Sequence, residues 1–507
     1  MKYIDLKNRK LTFSDLLKQD EINVPQVWPG DHKVTGLALH SSEIQGGDVF
    51  LAIPPLTDQD KGQRYLQEAI DRKAAIIIKQ RDIPMPTLPA GIVCLDVEDA
   101  RKVRALIAQR IFHGQPKKVV GVTGTNGKTS VVNFTRQLWE LLGHKAASVG
   151  TMGFQSEIAV SGIDDVMLTS PDPFALHEML MTAKKEGITH LALEASSHGI
   201  DQHRIDGVEF CAGGFTNLSH DHLDYHGNMD DYFTAKARFF KDVIPEGETA
   251  VLNADTNYFE PLVQMAKENG LRVYSYGKQA DDLYLEGITI EGSTQVVQLS
   301  VMKKSYTLRL NFIGKFQVLN ALCALGLVVG SGESFEVVVP LLEKLKPVSG
   351  RLELIGTTKE GGSVYVDYAH TPDAMHEALL SVRPYVSGVL TCVFGCGGDR
   401  DKEKRPLMGM IAGLYSDAQI ITDDNPRSEN PAEIRRSILE RCSNAAEVGD
   451  RREAIQKAID RLGKNDACLI AGKGHEQFQL VKDAKIPFDD RQIVKEILEK
   501  SGGAIAA

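Results

Sequence analysis

The chain has 507 residues, with 58 Lys and Arg against 68 Asp and Glu and a formal charge of −10. At roughly 150 residues per domain this length makes about three domains, each able to bury its own core, and 42% hydrophobic with 25% charged residues excludes a largely disordered chain. The acidic balance argues against a general nucleic-acid or anionic-membrane binder, yet leaves room for a local basic pocket around a small anion.

Seven cysteines, at 94, 211, 323, 392, 396, 442 and 468, form no CxxC pair and read as buried free thiols rather than a disulfide framework. The first residues, MKYIDLKNRK, carry charge but no apolar stretch, and no apolar run approaches ~18 residues. No membrane insertion is expected, and a reducing cytoplasm is the expected compartment.

In chain order, VFLAI, AAIIIKQ and GIVCLDV read as strands, with helices around Tyr65 to Asp71 and over VEDARKVRALIAQRIF. HGQPKK reads as a linker. The buried strand VVGV then runs into a Gly-rich loop and the helix SVVNFTRQLWELLG, and HLALEAS and AVLNAD read as further buried strands. After Asp282 the pattern turns to LYLEGITI, TQVVQLSV and YTLRLNF, an antiparallel excursion, before a helix from about Val318 to Val329. PVSGR marks a second boundary. Beyond it SVYVDYA, VLTCVFGCG, AQIITDD and ACLIAGKG alternate with helical stretches, the pattern of a parallel, doubly wound sheet. The expected fold is therefore α/β in three domains, 1–116, 117–348 and 349–507, followed by a short low-complexity tail, GGAIAA.

Gly124-Thr125-Asn126-Gly127-Lys128-Thr129-Ser130 directly follows VVGV. Glycines let backbone amides close around phosphates, the helix N-terminus adds a positive dipole, Lys128 reaches the outer phosphates and Thr129 can ligate Mg²⁺. Val122 stands where the general P-loop pattern has its first glycine. Glu194, at the end of HLALEAS, is placed to face a nucleotide-bound metal or else to cap a helix. The run Ser219-His220-Asp221-His222-Leu223-Asp224-Tyr225-His226 holds three histidines, but its spacing matches no zinc pattern. One or two of these side chains are expected at a Mg²⁺ or substrate site.

TGTNGKTS, LEASSHG, TNLSHDHLDYHG, YFTAKARFF, SGRLE, VDYAHTPDA, FGCGGDRDKEKRP, DDNPR and AGKGHE occur in this order across almost the whole chain. Together they closely resemble the Mur ligases, and within them the diaminopimelate-adding members. The resemblance implies an ATP-dependent amide bond in cytoplasmic peptidoglycan-precursor synthesis. ATP phosphorylates the free carboxylate of a UDP-muramoyl-dipeptide, and the diaminopimelate amine attacks the acyl phosphate. A carboxylate is a poor electrophile until so converted, and the phosphoryl transfer needs Mg²⁺ and a lysine.

Carried over by motif, the resemblance assigns Gly124 to Ser130, Asn320, Arg351 and Asp367 to ATP, with Gln317 standing where the family usually has Asn. Thr129 and Glu194 would face one Mg²⁺ and His222 a second, with Lys236 as a carbamylated metal ligand. Read by itself, Lys236 is a solvated helix lysine. Lys128, Glu194, His222 and Lys236 make up the implied catalytic set. Ser41, Thr169, Ser170, Ser196, Gln202 and Arg204 would contact the UDP-muramoyl-dipeptide, with His40 and Ser42 replacing the usual Asp and Arg beside Ser41. Arg400, Asp424, Asn425, Pro426, Arg427, Gly472 and Glu476 would hold diaminopimelate, the arginine being a two-pronged partner for its extra carboxylate. Read alone, DDNPR is equally a strand-end turn and helix cap.

A lysine-adding homologue or a folylpolyglutamate-type ligase would share the P-loop, but DNPR and HDHLDYH argue against both. A P-loop nucleotide switch would need none of GGDR, DNPR and GKGHE. A monomer taking only small-molecule substrates is expected.

Overall fold

The computed structural model describes residues 3–7, 10–18, 28–54, 63–163, 169–292, 294–442 and 444–506. The chain divides into two compact units. One comprises 1–119, 145–211 and 241–245, and the other 120–144, 212–240 and 246–507.

In the first unit, the three apolar runs read from the sequence become three strands of a five-stranded sheet, and Tyr3–Asp5 and Gly36–Ala38, not read as strands, supply the other two. Its strands Tyr3–Asp5, Gly36–Ala38, Val49–Ala52, Ile76–Gln80 and Val93–Val97 lie in chain order. The first pair is antiparallel and the rest are parallel, so the loops that follow the parallel strands emerge along one edge. The sheet is covered by helices Gln63–Asp71 and Ala100–Ile111. Asp99 caps the second of these by accepting from the Arg101 and Lys102 amides. Leu37, Ile76, Ile78, Leu95, Val103, Ile107 and Phe174 are among the side chains that close one core. The same unit holds the parallel pair Ala146–Gly150 and His190–Glu194, with Gly153–Ser156 folded back on the first.

In the second unit, Ala212–Phe215 lies between and parallel to Lys118–Thr123 and Thr249–Asn253, and Arg272–Gly277 continues the parallel order. The antiparallel excursion is present as Leu283–Glu291, Thr294–Val301 and Lys304–Leu310. Helix Lys315–Gly330 follows, and its apolar face is buried.

A seven-stranded sheet completes this unit. Its order is Ala446–Glu447, Ala418–Ile421, Leu390–Phe394, Ala467–Ala471, Ser363–Asp367, Glu353–Thr357 and Ala504–Ile505, and the first five are parallel. The tail GGAIAA is thus not merely a loose end. Gly502 at φ +77° terminates the helix Asp490–Ser501, and Ala504–Ile505 pairs antiparallel with Glu353–Thr357. Two apolar cores lie on the two sides of the sheet, one with Leu379, Phe394 and Met408 and the other with Val393, Ile455 and Leu498. All seven cysteines are free thiols, five of them buried.

Candidate active site

The Gly-rich loop leaves the C-terminal end of Lys118–Thr123 and enters helix Lys128–Leu141. Gly124 has φ +142° and Gly127 φ +90°, which other residues rarely adopt. A Cβ at Gly124 would run into the Thr216 hydroxyl, and one at Gly127 into the Asn320 side chain. The loop is a cradle that side chains would fill. Thr216 and Asn217 hold its shape. The Thr216 hydroxyl donates to Asn126 O at 2.6 Å, and Asn217 accepts from the Thr125 and Asn126 amides at 2.8 and 2.9 Å. The helix's first-turn amides have no acceptor within the helix, so they are the donors available to phosphate. Lys128 Nζ bridges Gly124 O at 2.9 Å and Thr125 O at 2.7 Å, across the mouth of the cradle.

Arg351 reaches the same loop. Its Nη2 donates to Thr129 Oγ1 at 2.8 Å, and the guanidinium lies 4.2 Å from the centre of the Tyr368 ring. Its buried Nε has no partner among the described residues. Asn320 donates to Gln317 Oε1 at 3.0 Å, and Gln317 in turn donates to Arg351 O at 3.1 Å. The longer Gln side chain therefore ties two of the expected nucleotide contacts together. Asp367 accepts from the Leu352 and Ala369 amides at 2.6 and 2.7 Å. Burial pushes its carboxyl up to about 6, against the pull of Arg351 and these amides.

Lys236 departs from the solvated lysine its sequence context suggests, being only 1% exposed. It sits on helix Met229–Arg238, whose inward face carries Tyr232, Ala235 and Lys236. Its Nζ donates to Gly124 O at 2.8 Å and lies 4.5 Å from the centre of the Tyr232 ring. Burial, with Lys128 nearby, drops its pKa far below the usual lysine value.

Tyr232 is the hub of this region. Its hydroxyl meets Thr125 Oγ1 at 3.2 Å, and its ring lies 6.2 Å from His222 and 5.1 Å from His226. The histidine run diverges, as its spacing implies. His222 is exposed, His226 is buried against Tyr225 and Tyr232, and His220 approaches Asp401 at 4.0 Å. Among the described residues no three His, Cys, Asp or Glu side chains converge as a metal cluster. Asp221 belongs to the same run. Burial opposes its ionisation, yet His222, His370, Lys404 and Lys128 hold its carboxyl below the ordinary range.

A separate network in the first unit collects most of the expected dipeptide contacts. Glu194, 1% exposed, accepts from the Thr151 amide at 3.0 Å and the Thr151 hydroxyl at 3.2 Å, and that hydroxyl meets Thr169 Oγ1 at 3.3 Å. Ser170 Oγ donates to Glu194 O and meets Ser196 Oγ, both at 3.0 Å. Arg204 donates to Ser170 O at 3.2 Å and twice to Gln202 Oε1. Gln202 and Arg204 also line a cavity of about 130 Å³ with Arg101, Arg104, Asp172 and Pro173. No local pattern in the helix Ala100–Ile111 marks those two arginines; only the fold brings them there. Ser41 is buried and donates to Glu68 Oε2 at 2.5 Å, while His40 Nδ1 meets Ser42 Oγ at 2.8 Å.

The expected amino-acid residues meet at the strand ends of the seven-stranded sheet. Arg427 has φ +50° and donates to Gly398 O at 2.8 Å. Its backbone is clamped by the hairpin Phe478–Val481/Ala484–Pro487, donating to Leu480 O at 3.0 Å and accepting from Lys482 N at 2.7 Å. A Cβ on Gly397 would stand 2.8 Å from Arg427 Nη1, so GGDR leaves room for that guanidinium. Burial and the like charge of Arg400 both lower the Arg427 pKa. Asp424, Glu476 and Asp399 act the other way on Arg427. Asn425 donates to Glu476 Oε2 at 2.9 Å, and Gly472 brings the backbone close to Asp424, where a Cβ would meet its Oδ2 at 2.6 Å.

The family model for the Mur ligase middle domain matches residues 122–328, and that for the Mur ligase glutamate ligase domain matches 350–474. A protein of Chelativorans sp. (strain BNC1), named UDP-N-acetylmuramoyl-L-alanyl-D-glutamate--2,6-diaminopimelate ligase, is 44% identical over 93% of this chain and 96% of its own. A protein of the same name from Bradyrhizobium diazoefficiens is 44% identical over 96% of this chain and 98% of its own. A solved structure, again of a protein with that name, superposes with a TM-score of 0.67 at 29% identity, covering 98% of this chain and all of the other. These similarities run through the cradle, the Glu194 network and the strand-end arginines alike, and the chain belongs to the Mur ligases.

Proposed function

We propose that this chain is the ATP-dependent ligase that joins meso-diaminopimelate to UDP-N-acetylmuramoyl-L-alanyl-D-glutamate, through an acyl phosphate, in cytoplasmic peptidoglycan-precursor synthesis. The observation that carries this reading is the Arg400–Arg427 pair beside Glu476 at the strand ends. Diaminopimelate differs from lysine by one carboxylate, and a lysine-adding enzyme has no use for that arginine pair. The relatives' shared name supports the same subtype.

Each group then has a task. The cradle Gly124–Ser130 binds the ATP phosphates, Lys128 offsets charge on the transferred phosphoryl group, and Asn320, Arg351 and Asp367 hold the nucleotide. The Gly124 and Gly127 cradle and the Thr129 hydroxyl suit a Mg²⁺–nucleotide complex, in which few protein ligands are needed because phosphate oxygens supply the rest. Thr129, Glu194, His222 and Lys236 are the proposed Mg²⁺ ligands, and bound Mg²⁺ would neutralise phosphate charge. The burial of Lys236, which shifts its pKa downward, favours the neutral amine that captures CO₂ and so supports its carbamylation. Carbamylation would turn this buried amine into an anionic oxygen donor. Ser41, Thr169, Ser170, Ser196, Gln202 and Arg204 orient the UDP-dipeptide, and Arg400, Asp424 to Arg427, Gly472 and Glu476 orient the attacking amine. The three proposed domains 1–116, 117–348 and 349–507 each bring one substrate.

The test is ADP release with the muramoyl-dipeptide present, with and without meso-diaminopimelate. Turnover should require both. ADP release indifferent to both substrates would favour the nucleotide-switch reading instead.

A further inference from the structure

Lys473 lies between Gly472 and Glu476, two proposed amino-acid contacts, and has no role in that reading. Gly472 at φ +113° and Gly474 at φ +53° shape the turn around it. Its side chain is fully buried. Removing an ammonium from water is costly unless it is paired and hydrogen-bonded. Here Nζ donates to Glu476 Oε2 at 2.8 Å and to Asn425 Oδ1 at 3.1 Å. Both partners are proposed diaminopimelate contacts, and neither builds an apolar core.

The contacts also determine how those partners point. Asn425 Oδ1 accepts from Lys473 and from the Leu480 amide at 2.9 Å, so its Nδ2 must face Glu476. Glu476 Oε2 then takes two donors, one from Lys473 and one from Asn425. The carboxylate is fixed through one oxygen, and its side chain remains 21% exposed. Its other oxygen is left to meet a ligand's ammonium.

We propose that Lys473 is the positioning residue for amino-acid selection: it orients Asn425 and Glu476 and holds Glu476 as the acceptor for the distal ammonium of diaminopimelate. The proposal rests on the assignment of Glu476 to that substrate. The experiment compares K473M, E476Q and the double variant in the full-length enzyme, reading KM and kcat for meso-diaminopimelate, KM for ATP and the melting temperature. K473M should raise KM for meso-diaminopimelate about tenfold or more, the scale of a lost charged hydrogen bond. Its kcat and its KM for ATP should stay within about threefold, a split that general loosening of the fold would not produce. In the double variant the two effects should not multiply, because both act through one carboxylate. K473Q, uncharged but still a donor, is the second variant if K473M does not fold, and should shift KM in the same direction. An E476Q effect without a K473M or K473Q effect overturns the positioning role, as do effects that multiply. An E476Q enzyme with unchanged KM overturns the Glu476 assignment itself, and with it this proposal.

Discussion

Asp367 is a carboxyl at the end of a buried strand, and the charge it carries depends on a close balance. Burial lifts its pKa to about 6, while Arg351 and neighbouring amides pull the other way. Because the folded value lies above the unfolded one, the protonated form is favoured by folding. Its contribution is fully present below pH ~4 and is lost as pH rises through about 6. A rise of this size corresponds to ~3 kcal/mol. The stability difference between D367N and wild type, from urea unfolding, should therefore move in the variant's favour by about that amount between pH 4 and pH 7. A difference independent of pH would contradict this. At this scale the sequence marked the Gly-rich-loop and strand-end residues as candidates, because their motifs are local. It could not show that Lys236 is buried, that Gln317 ties Asn320 to Arg351, or that the buried Lys473 reaches Asn425. Those facts depend on partners 34 to 112 residues away or on a tertiary environment.

Long apolar runs ending in Gly-rich or polar turns were sufficient to read the central buried strands, and alternating polarity after Asp282 the antiparallel excursion, whereas short strands such as Gly36–Ala38 and Ala212–Phe215 carry too few apolar residues to signal. The tail escaped because its pairing with Glu353–Thr357 is a backbone interaction that small side chains do not advertise. Hairpin Phe478–Pro487 escaped likewise, although it clamps Arg427. On the proposed reading, the element that decides nucleotide binding is the loop-to-helix junction. In G127A the new methyl group would meet Asn320 and the residue would carry φ +90°. We expect KM for ATP to rise more than tenfold while KM for meso-diaminopimelate changes less than threefold, measured by ADP release. Equal changes in both would point to global destabilisation rather than loss of the cradle.

Across the whole molecule, the charge of −10 describes the surface better than the ligands. Arg101, Arg104 and Arg204 surround one cavity, and Arg400 and Arg427 lie near each other at strand ends. Local cationic sites in an acidic protein suit anionic substrates while its net charge discourages polyanions. The three blocks read from the sequence do not map onto the chain's two compact units, each of which draws on distant segments, so that interleaved division was not legible in it. The central claim is the identity of the amino acid added. It is tested most directly by giving the enzyme ATP, the UDP-muramoyl-dipeptide and equal meso-diaminopimelate and L-lysine, then weighing the tripeptide products by mass spectrometry. The account predicts the diaminopimelate product in large excess for wild type, with that excess collapsing in R427L. Comparable lysine product from the wild-type enzyme would contradict it.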